Sequence, residues 1–277
     1  MIIKRTLRDQ TFKLVSLSLL AVITIFPIVW IVMTAFKGPE EINVIPPTLI
    51  PLRPILGNFV EAIKTDFLLA LRNSVVVGLV STMIAMLISI PAGYAFARYR
   101  FPGSRTMLML ILMIRMVPGI SLIIPFFKMM QSLHLINTYA SLVLTYLSFQ
   151  VPFATWLLES FFRGLPTEVE EAALIDGCSR LKAFVSVMLP LAAAGLATAA
   201  IFCFLMSWNE FLYAVTLSRT LISKTGPVAV SEGVTSYQIF WGRMAASATL
   251  YILPVILFNL FFQRFIVRGL TVGAVKG

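Results

Sequence analysis

The sequence predicts an all-α integral membrane fold of six transmembrane helices with one short helix at the membrane surface between the fourth and fifth. Two observations lead there. Of 277 residues, 59% are hydrophobic and 12% charged, and mean hydropathy is +0.93, whereas a soluble domain carries roughly 25% charged residues. The apolar residues also gather into runs near the roughly 20 residues that a helix needs to cross a bilayer. Inside lipid the backbone must satisfy its own polar groups, so such runs read as helices. Little polar sequence remains for a catalytic domain outside the membrane, and the whole chain, residues 1–277, reads as a single membrane domain.

The first run, Leu14–Phe36, follows Lys4, Arg5, Arg8 and Lys13. It is longer than the apolar region of a cleaved signal and no small-residue cleavage site follows, so it reads as a retained helix. Next comes Lys37–Leu69, where Pro46, Pro47, Pro51 and Pro54 imply an irregular outward loop ending in a short helix around Asn58–Thr65. The second run is Ala70–Ala97. A tight basic turn, Arg98–Arg105, leads to the third, Thr106–Phe127, and the fourth is Tyr139–Phe162. A long connection, residues 163–190, precedes the fifth run, Leu191–Leu217, and the sixth is Ala245–Phe265, with residues 266–277 as a tail. Pro27, Pro91, Pro118, Pro125, Pro152, Pro190 and Pro254 lie within or beside the runs, and each removes a backbone donor, so kinks or breaks are expected there.

An even number of spans puts both termini on one side. Arg98, Arg100, Arg105, Arg163, Arg180, Lys182, Arg264, Arg268 and Lys276 join the N-terminal cations on that side. Basic loops stay in the cytoplasm, so both termini are expected there. The same rule accounts for the net charge of +10 without nucleic acid as a partner. Cys178 and Cys203 fall at the cytoplasmic surface and in a span, where no disulfide is expected. The one histidine, His134, has no ligand-type neighbours in sequence, which argues against a metal site.

The connection reads R-G-L-P-T-E-V-E-E-A-A-L-I-D-G-C-S-R-L-K-A-F-V-S-V-M-L-P. Thr167 and Glu170 fit a capping box after Pro166, and Glu168, Glu170 and Glu171 suit the first turns of a helix. Gly177 after Asp176 fits the glycine that ends a helix in the left-handed conformation. Ser179 is placed to cap a second helix, kept at the surface by Arg180 and Lys182 until Pro190 opens the fifth span. Ala172 and Ala173 are expected to present a small face to a partner's groove.

Glu171-Ala172-Ala173-Leu174-Ile175-Asp176-Gly177, followed by Leu189-Pro190, resembles the signature loop of ABC importer permeases. Cys178 stands where the family often has alanine. Trp208-Asn209-Glu210-Phe211 and the ending Arg268 to Gly277 are similar to the carbohydrate branch, the smaller permease subunits of maltose-type and trehalose-type importers. The resemblance covers most of the chain. It implies an importer for carbohydrates in a prokaryotic inner membrane, built with a second permease as a heterodimer, two ABC ATPase subunits and an extracytoplasmic solute-binding protein. Glu171, Ala172, Ala173, Asp176 and Gly177 would then couple to the ATPases, and Gly273, Lys276 and Gly277 in the tail would make a second contact. The outward loop Ser218–Gly242 would approach the binding protein.

No Gly-Lys pair occurs, so the chain lacks a P-loop; ATP and Mg would belong to the partner subunits, and this chain is expected to bind no cofactor and to be no enzyme. Arg115, Glu159 and Glu210 fall inside spans, where charge faces a cavity or pairs with a neighbour. Glu210 with Trp208, Asn209 and Tyr213 combines aromatic surface and hydrogen-bonding groups, a mixture suited to a sugar pathway. A stand-alone secondary transporter or channel is the alternative, and it would couple ions through Arg115 or Glu210.

Overall fold

The computed structural model describes the backbone of residues 7–272 and the side chains of residues 11–257, 260 and 261. Among them the fold is helical, with one isolated antiparallel bridge from Val234 to Ile239. The helices are α1 (Leu7–Ala35), α2 (Pro39–Ile42), α3 (Gly57–Lys64), α4 (Phe67–Arg98), α5 (Ser104–Ile114), α6 (Gly119–Ser132), α7 (Tyr139–Gly164), α8 (Thr167–Ile175), α9 (Arg180–Ala183), α10 (Leu189–Leu191), α11 (Ala193–Trp208), α12 (Leu212–Leu217), α13 (Gly226–Ser231) and α14 (Trp241–Val272). A π turn, Phe184–Met188, joins α9 to α10. Contacts divide the chain into two compact units, Met1–Phe67 with Ala229–Leu253 and Leu68–Val228 with Pro254–Gly277.

Three unbroken helices among the described residues are long and apolar enough to cross a membrane: Thr11–Ala35, Phe67–Arg98 and Tyr139–Gly164. Pro27, Pro91 and Pro152 lie inside these helices without interrupting them. Two further candidates are bent pairs: Ser104–Ile114 with Gly119–Ser132, at 91°, and Arg180–Leu191 with Ala193–Trp208, at 75°. The run Thr106–Phe127 is thus two helices rather than one, broken beside Pro118, one of the prolines where a kink or break is expected. The chain turns at Arg115–Pro118, where Pro118 lacks the N–H of a continuing ladder and disfavours α geometry at Val117. The second bend lies at Ala192, so helix already runs through Pro190. The preceding π turn supplies the irregular ladder that accommodates that proline. The run also stops at Trp208 and resumes at Leu212.

In the larger unit, buried hydroxyls and amides hold α4, α7 and α11 together. Ser81 and Ser207 share a hydrogen bond of 2.9 Å, the Gln150 amide donates to the Cys203 carbonyl at 2.9 Å and to Ser81 at 3.2 Å, and Ser89 donates to the Val151 carbonyl at 3.2 Å. Lipid gives no hydrophobic drive for helix association, so close packing and interhelical hydrogen bonds take its place. Gly93 shows how close the packing is: a Cβ there would lie 2.8 Å from the Leu158 Cβ and 3.0 Å from the Glu159 nitrogen. The opposite face of α4 exposes Leu79, Met83 and Leu87, as lipid requires.

In the smaller unit Asn58 fastens the end of α1, its amide donating to the carbonyls of Ala35 and Lys37 at 2.9 Å each. Ala35, Ala62, Ala245 and Ala246 form a small-residue core around that contact. Lys37 donates to the Thr48 carbonyl. Beyond it the Glu41 carboxylate accepts from the Leu52 N–H at 2.8 Å and the Thr48 hydroxyl at 3.0 Å. The Leu52 bond is the main cause holding the Glu41 pKa below the usual carboxylate value.

Candidate functional site

The first candidate is the connection 163–190. Leu165 and Pro166 leave the helical conformation, with ψ of 144° and 132°. Pro166 therefore occupies the cap position of α8, and no side chain caps the helix there. That corrects the expected capping box: Thr167 is the first helical residue. Glu170 instead turns toward the end of α4. Its carboxylate accepts the Tyr94 hydroxyl at 2.5 Å and pairs with the Arg98 Nε at 3.0 Å. Arg98 also donates to the Leu165 carbonyl at 3.0 Å. The side chains of Arg98 and Glu170 are only 8% and 15% exposed.

At the other end of α8 the Gly177 N–H bonds to the Leu174 carbonyl at 3.1 Å and the Cys178 N–H to the Ala173 carbonyl at 3.0 Å. This crossed pair is the Schellman motif, and it needs the left-handed residue that Gly177 supplies at φ 85°. Ser179 caps α9 by accepting the Lys182 N–H at 3.3 Å. Glu171, Ala172, Ile175, Asp176 and Gly177 face outward, Ile175 at 85% exposure. Ala173 does not join them; it is buried against the fold. The small face expected from Ala172 and Ala173 is therefore split, with Ile175 the prominent apolar residue. Glu170 and Ala173 are three positions apart, so both lie on one side of the helix, a spacing that could have identified the inward face.

The second candidate is a cavity of about 490 Å³ in the larger unit, at the bend between α5 and α6. Arg115, Gly119, Phe126, Ser148, Phe149, Met206 and Tyr213 are among its walls. Of the four residues assigned to a sugar pathway, Tyr213 alone lines it. Its ring stacks on Phe149 at 6.4 Å and meets Phe126 edge-on at 5.6 Å, and its hydroxyl donates to the Gly119 carbonyl at 3.1 Å. Glu210 stands behind Tyr213. It accepts the N–H groups of Tyr213 and Ala214 at 2.8 and 3.0 Å and the Tyr146 hydroxyl at 3.0 Å, so its carboxylate holds the start of α12. Trp208 is buried beside Phe204. Asn209 is exposed and bonds back to the Leu205 carbonyl.

Arg115 lies in the bend with its guanidinium 4.8 Å over the Phe153 ring. Phe126, Ser148 and Phe149 were not legible as wall residues. The Pro118-Gly119 pair beside an intramembrane arginine was the available signal. Glu159, 5% exposed, pairs with Arg163 one turn later; the carboxylate stays inside and the arginine reaches to it. Gly273, Lys276 and Gly277 lie outside the described residues. Among the described residues no three His, Cys, Asp or Glu side chains cluster as metal ligands, and Cys178 and Cys203 are free thiols.

Residues 85–272 match the family described as "Binding-protein-dependent transport system inner membrane component". The chain is 38% identical over 273 residues to the trehalose transport system permease protein SugB of Mycobacterium tuberculosis, covering 98% of this chain and 99% of that protein. It is 32% identical over 280 residues to the trehalose/maltose transport system permease protein MalG of Thermococcus litoralis, covering 98% and 100%. Among solved structures it resembles a chain of a bacterial ABC transporter involved in the import of the acidic polysaccharide alginate. That match has a TM-score of 0.75 at 21% identity and covers 94% of this chain and 98% of the other; at such identity it speaks to fold alone.

Proposed function

This chain belongs to the family of binding-protein-dependent transport system inner membrane components, and on that premise we propose that it is the permease subunit of an ABC importer for di- or oligosaccharides. The relatives named for trehalose and maltose transport support the solute class. In this reading the chain crosses the membrane six times with both termini in the cytoplasm. It forms the pathway with a second permease, takes solute from a binding protein, and docks two ATPases that hold the ATP and Mg.

The observation that carries the coupling is the outward surface Glu171–Gly177, fixed by the Schellman turn on a helix too short to span. Closure of the ATPase pair would press on that surface and tilt the spans, switching access between the two sides without covalent chemistry in this subunit. The cavity beside Arg115 and Tyr213 is this chain's share of the solute pathway. Aromatic rings stack on sugar faces, while Arg115, Ser148 and the Tyr213 hydroxyl supply hydrogen bonds.

The test is purification in mild detergent from the native cell, with identification of retained proteins. Recovery of an ATPase and a second permease, with the ATPase lost on Gly177→Glu, agrees with the proposal. A chain recovered alone that moves solute in ATP-free vesicles would instead be a secondary transporter or channel.

A further inference from the structure

We propose that α4 is a connecting rod between the two ends of the larger unit, tying the α8 surface to the segment 221–226, with Glu170 and Asn73 as the positioning residues at its ends. It rests on the reading of α8 as the ATPase-docking element.

One end is the junction of Tyr94 and Arg98 with Glu170. The covalent links of α8 run through turns, Leu165-Pro166 before it and Asp176-Gly177 after it, whereas Glu170 joins it to α4 side chain to side chain. Arg98 binds the α8 carboxylate and the Leu165 carbonyl together, so movement of α8 pulls on α4 directly. Both groups are largely out of water, and a buried pair resists separation far more than a surface pair.

The other end lies 25 residues away, about 38 Å along a helix. There the Asn73 amide donates to the carbonyls of Lys224 at 2.9 Å and Leu221 at 3.1 Å, and its oxygen accepts the Tyr139 hydroxyl at 2.6 Å. Ser74 accepts the Gly226 N–H at 2.8 Å. Asn73 is fully buried and Ser74 nearly so. Leu221 and Ile222 of the held segment remain exposed, Ile222 at 72%. α4 is unbroken between these clusters, and the Ser81 and Ser89 bonds keep it seated on α7 and α11. A helix ladder is stiff along its axis. Displacement at Glu170 therefore reaches the Leu221–Gly226 segment, and by linkage a ligand held there biases the α8 surface in return.

The experiment uses the complete importer in liposomes, with Cys178 replaced by serine and a spin label at Ile222→Cys. Nonhydrolysable ATP should change the label's mobility in the otherwise unaltered complex. Glu170→Gln, which keeps the shape and a partner for Tyr94, should abolish that change while the ATPase stays bound. Solute uptake should fall about tenfold, within the range of allosteric coupling factors, with basal ATP hydrolysis preserved. Asn73→Ala should do the same from the far end. Because the two residues serve one line, the double variant should lose about tenfold, whereas independent structural faults would multiply to about a hundredfold. A persistent ATP response at Ile222 in Glu170→Gln, unaltered uptake, or multiplied losses would overturn the rod. Gly177→Glu separates the underlying reading: if that variant keeps ATP-driven uptake, α8 is not the docking element; if it fails while Glu170→Gln is normal, docking stands and the rod does not.

Discussion

Two of the places where the chain leaves helical geometry, the turns around α8 and the bend at Arg115–Pro118, resolve the freed backbone differently. Around α8 every turn is tied by something distant or specific: Arg98 to the Leu165 carbonyl, the crossed Schellman bonds, the Ser179 cap. At the bend the backbone closes on itself through short-range bonds, Arg115 to Leu112, Met116 to Met113 and Val117 to Ile114, at 3.0 to 3.4 Å. Met116 and Ile120 there are 81% and 67% exposed. Irregular backbone at membrane depth persists where it lines a cavity, and this bend does. The contrast separates a protrusion held in one shape from an opening left between helices.

The largest test of the contrast is Gly177→Glu. No atom lies within 4 Å of a Cβ at this position, so the effect is conformational and electrostatic: the left-handed geometry costs a side chain roughly 1–2 kcal/mol, and a carboxylate is added to the outward surface. Uptake should fall more than about tenfold, while Gly177→Asn, which tolerates that geometry, should retain most of it. If the two variants behave alike, the rigid turn is not what matters.

Pro118→Ala attacks the other side of the comparison. It restores a donor and frees Val117, so α5 and α6 should straighten and narrow the cavity. Thermal stability in detergent should rise as uptake falls severalfold; a proline inside a helix costs about 3 kcal/mol, which bounds the gain. Unchanged uptake would mean that the bend is incidental. Tyr213→Phe is gentler. It removes one hydrogen bond, to the Gly119 carbonyl, of about 1 kcal/mol, and it should raise the solute concentration for half-maximal uptake about fivefold without loss of assembly.

The smallest effect belongs to a turn outside both regions. The Glu41 pKa is lowered on folding, chiefly by the Leu52 N–H, so its contribution is present above the ordinary carboxylate pKa and is lost as pH falls through the lowered one. Protection of the Leu52 amide against exchange should fall only below the ordinary carboxylate range, and Glu41→Gln should remove that pH dependence.

Much of the helical frame was legible because apolar length and cap residues are local signals. Tyr139–Gly164 begins after Thr138, whose hydroxyl accepts the Ser141 N–H, and the short helix expected near Asn58–Thr65 stands at Gly57–Lys64. Gly177 was readable for the same reason, since an Asp-Gly step after a helix is itself the stop. What escaped was long-range or directional. Glu170 meets Tyr94 across 76 positions, a pairing no window contains. A bent pair and a straight helix have the same composition, so Thr106–Phe127 gave no angle. Glu210 read as a pathway group because the donors to its carboxylate, the N–H groups of Tyr213 and Ala214, become available only once the helix has broken.

α1 carries its own consequence. None of the most apolar stretch of Thr11–Ala35 is buried, while at its end Lys37 sits 4.9 Å over the Trp30 ring and Asn58 grips the final carbonyls. An aromatic and a lysine together mark the depth of a membrane interface. The apolar length of α1 is left uncovered by this chain, and its end is fastened to protein. Hydrophobic spans answer a change of bilayer thickness by tilting, so a helix whose end is held by Asn58 meets such a change at the Ala35–Asn58 contact.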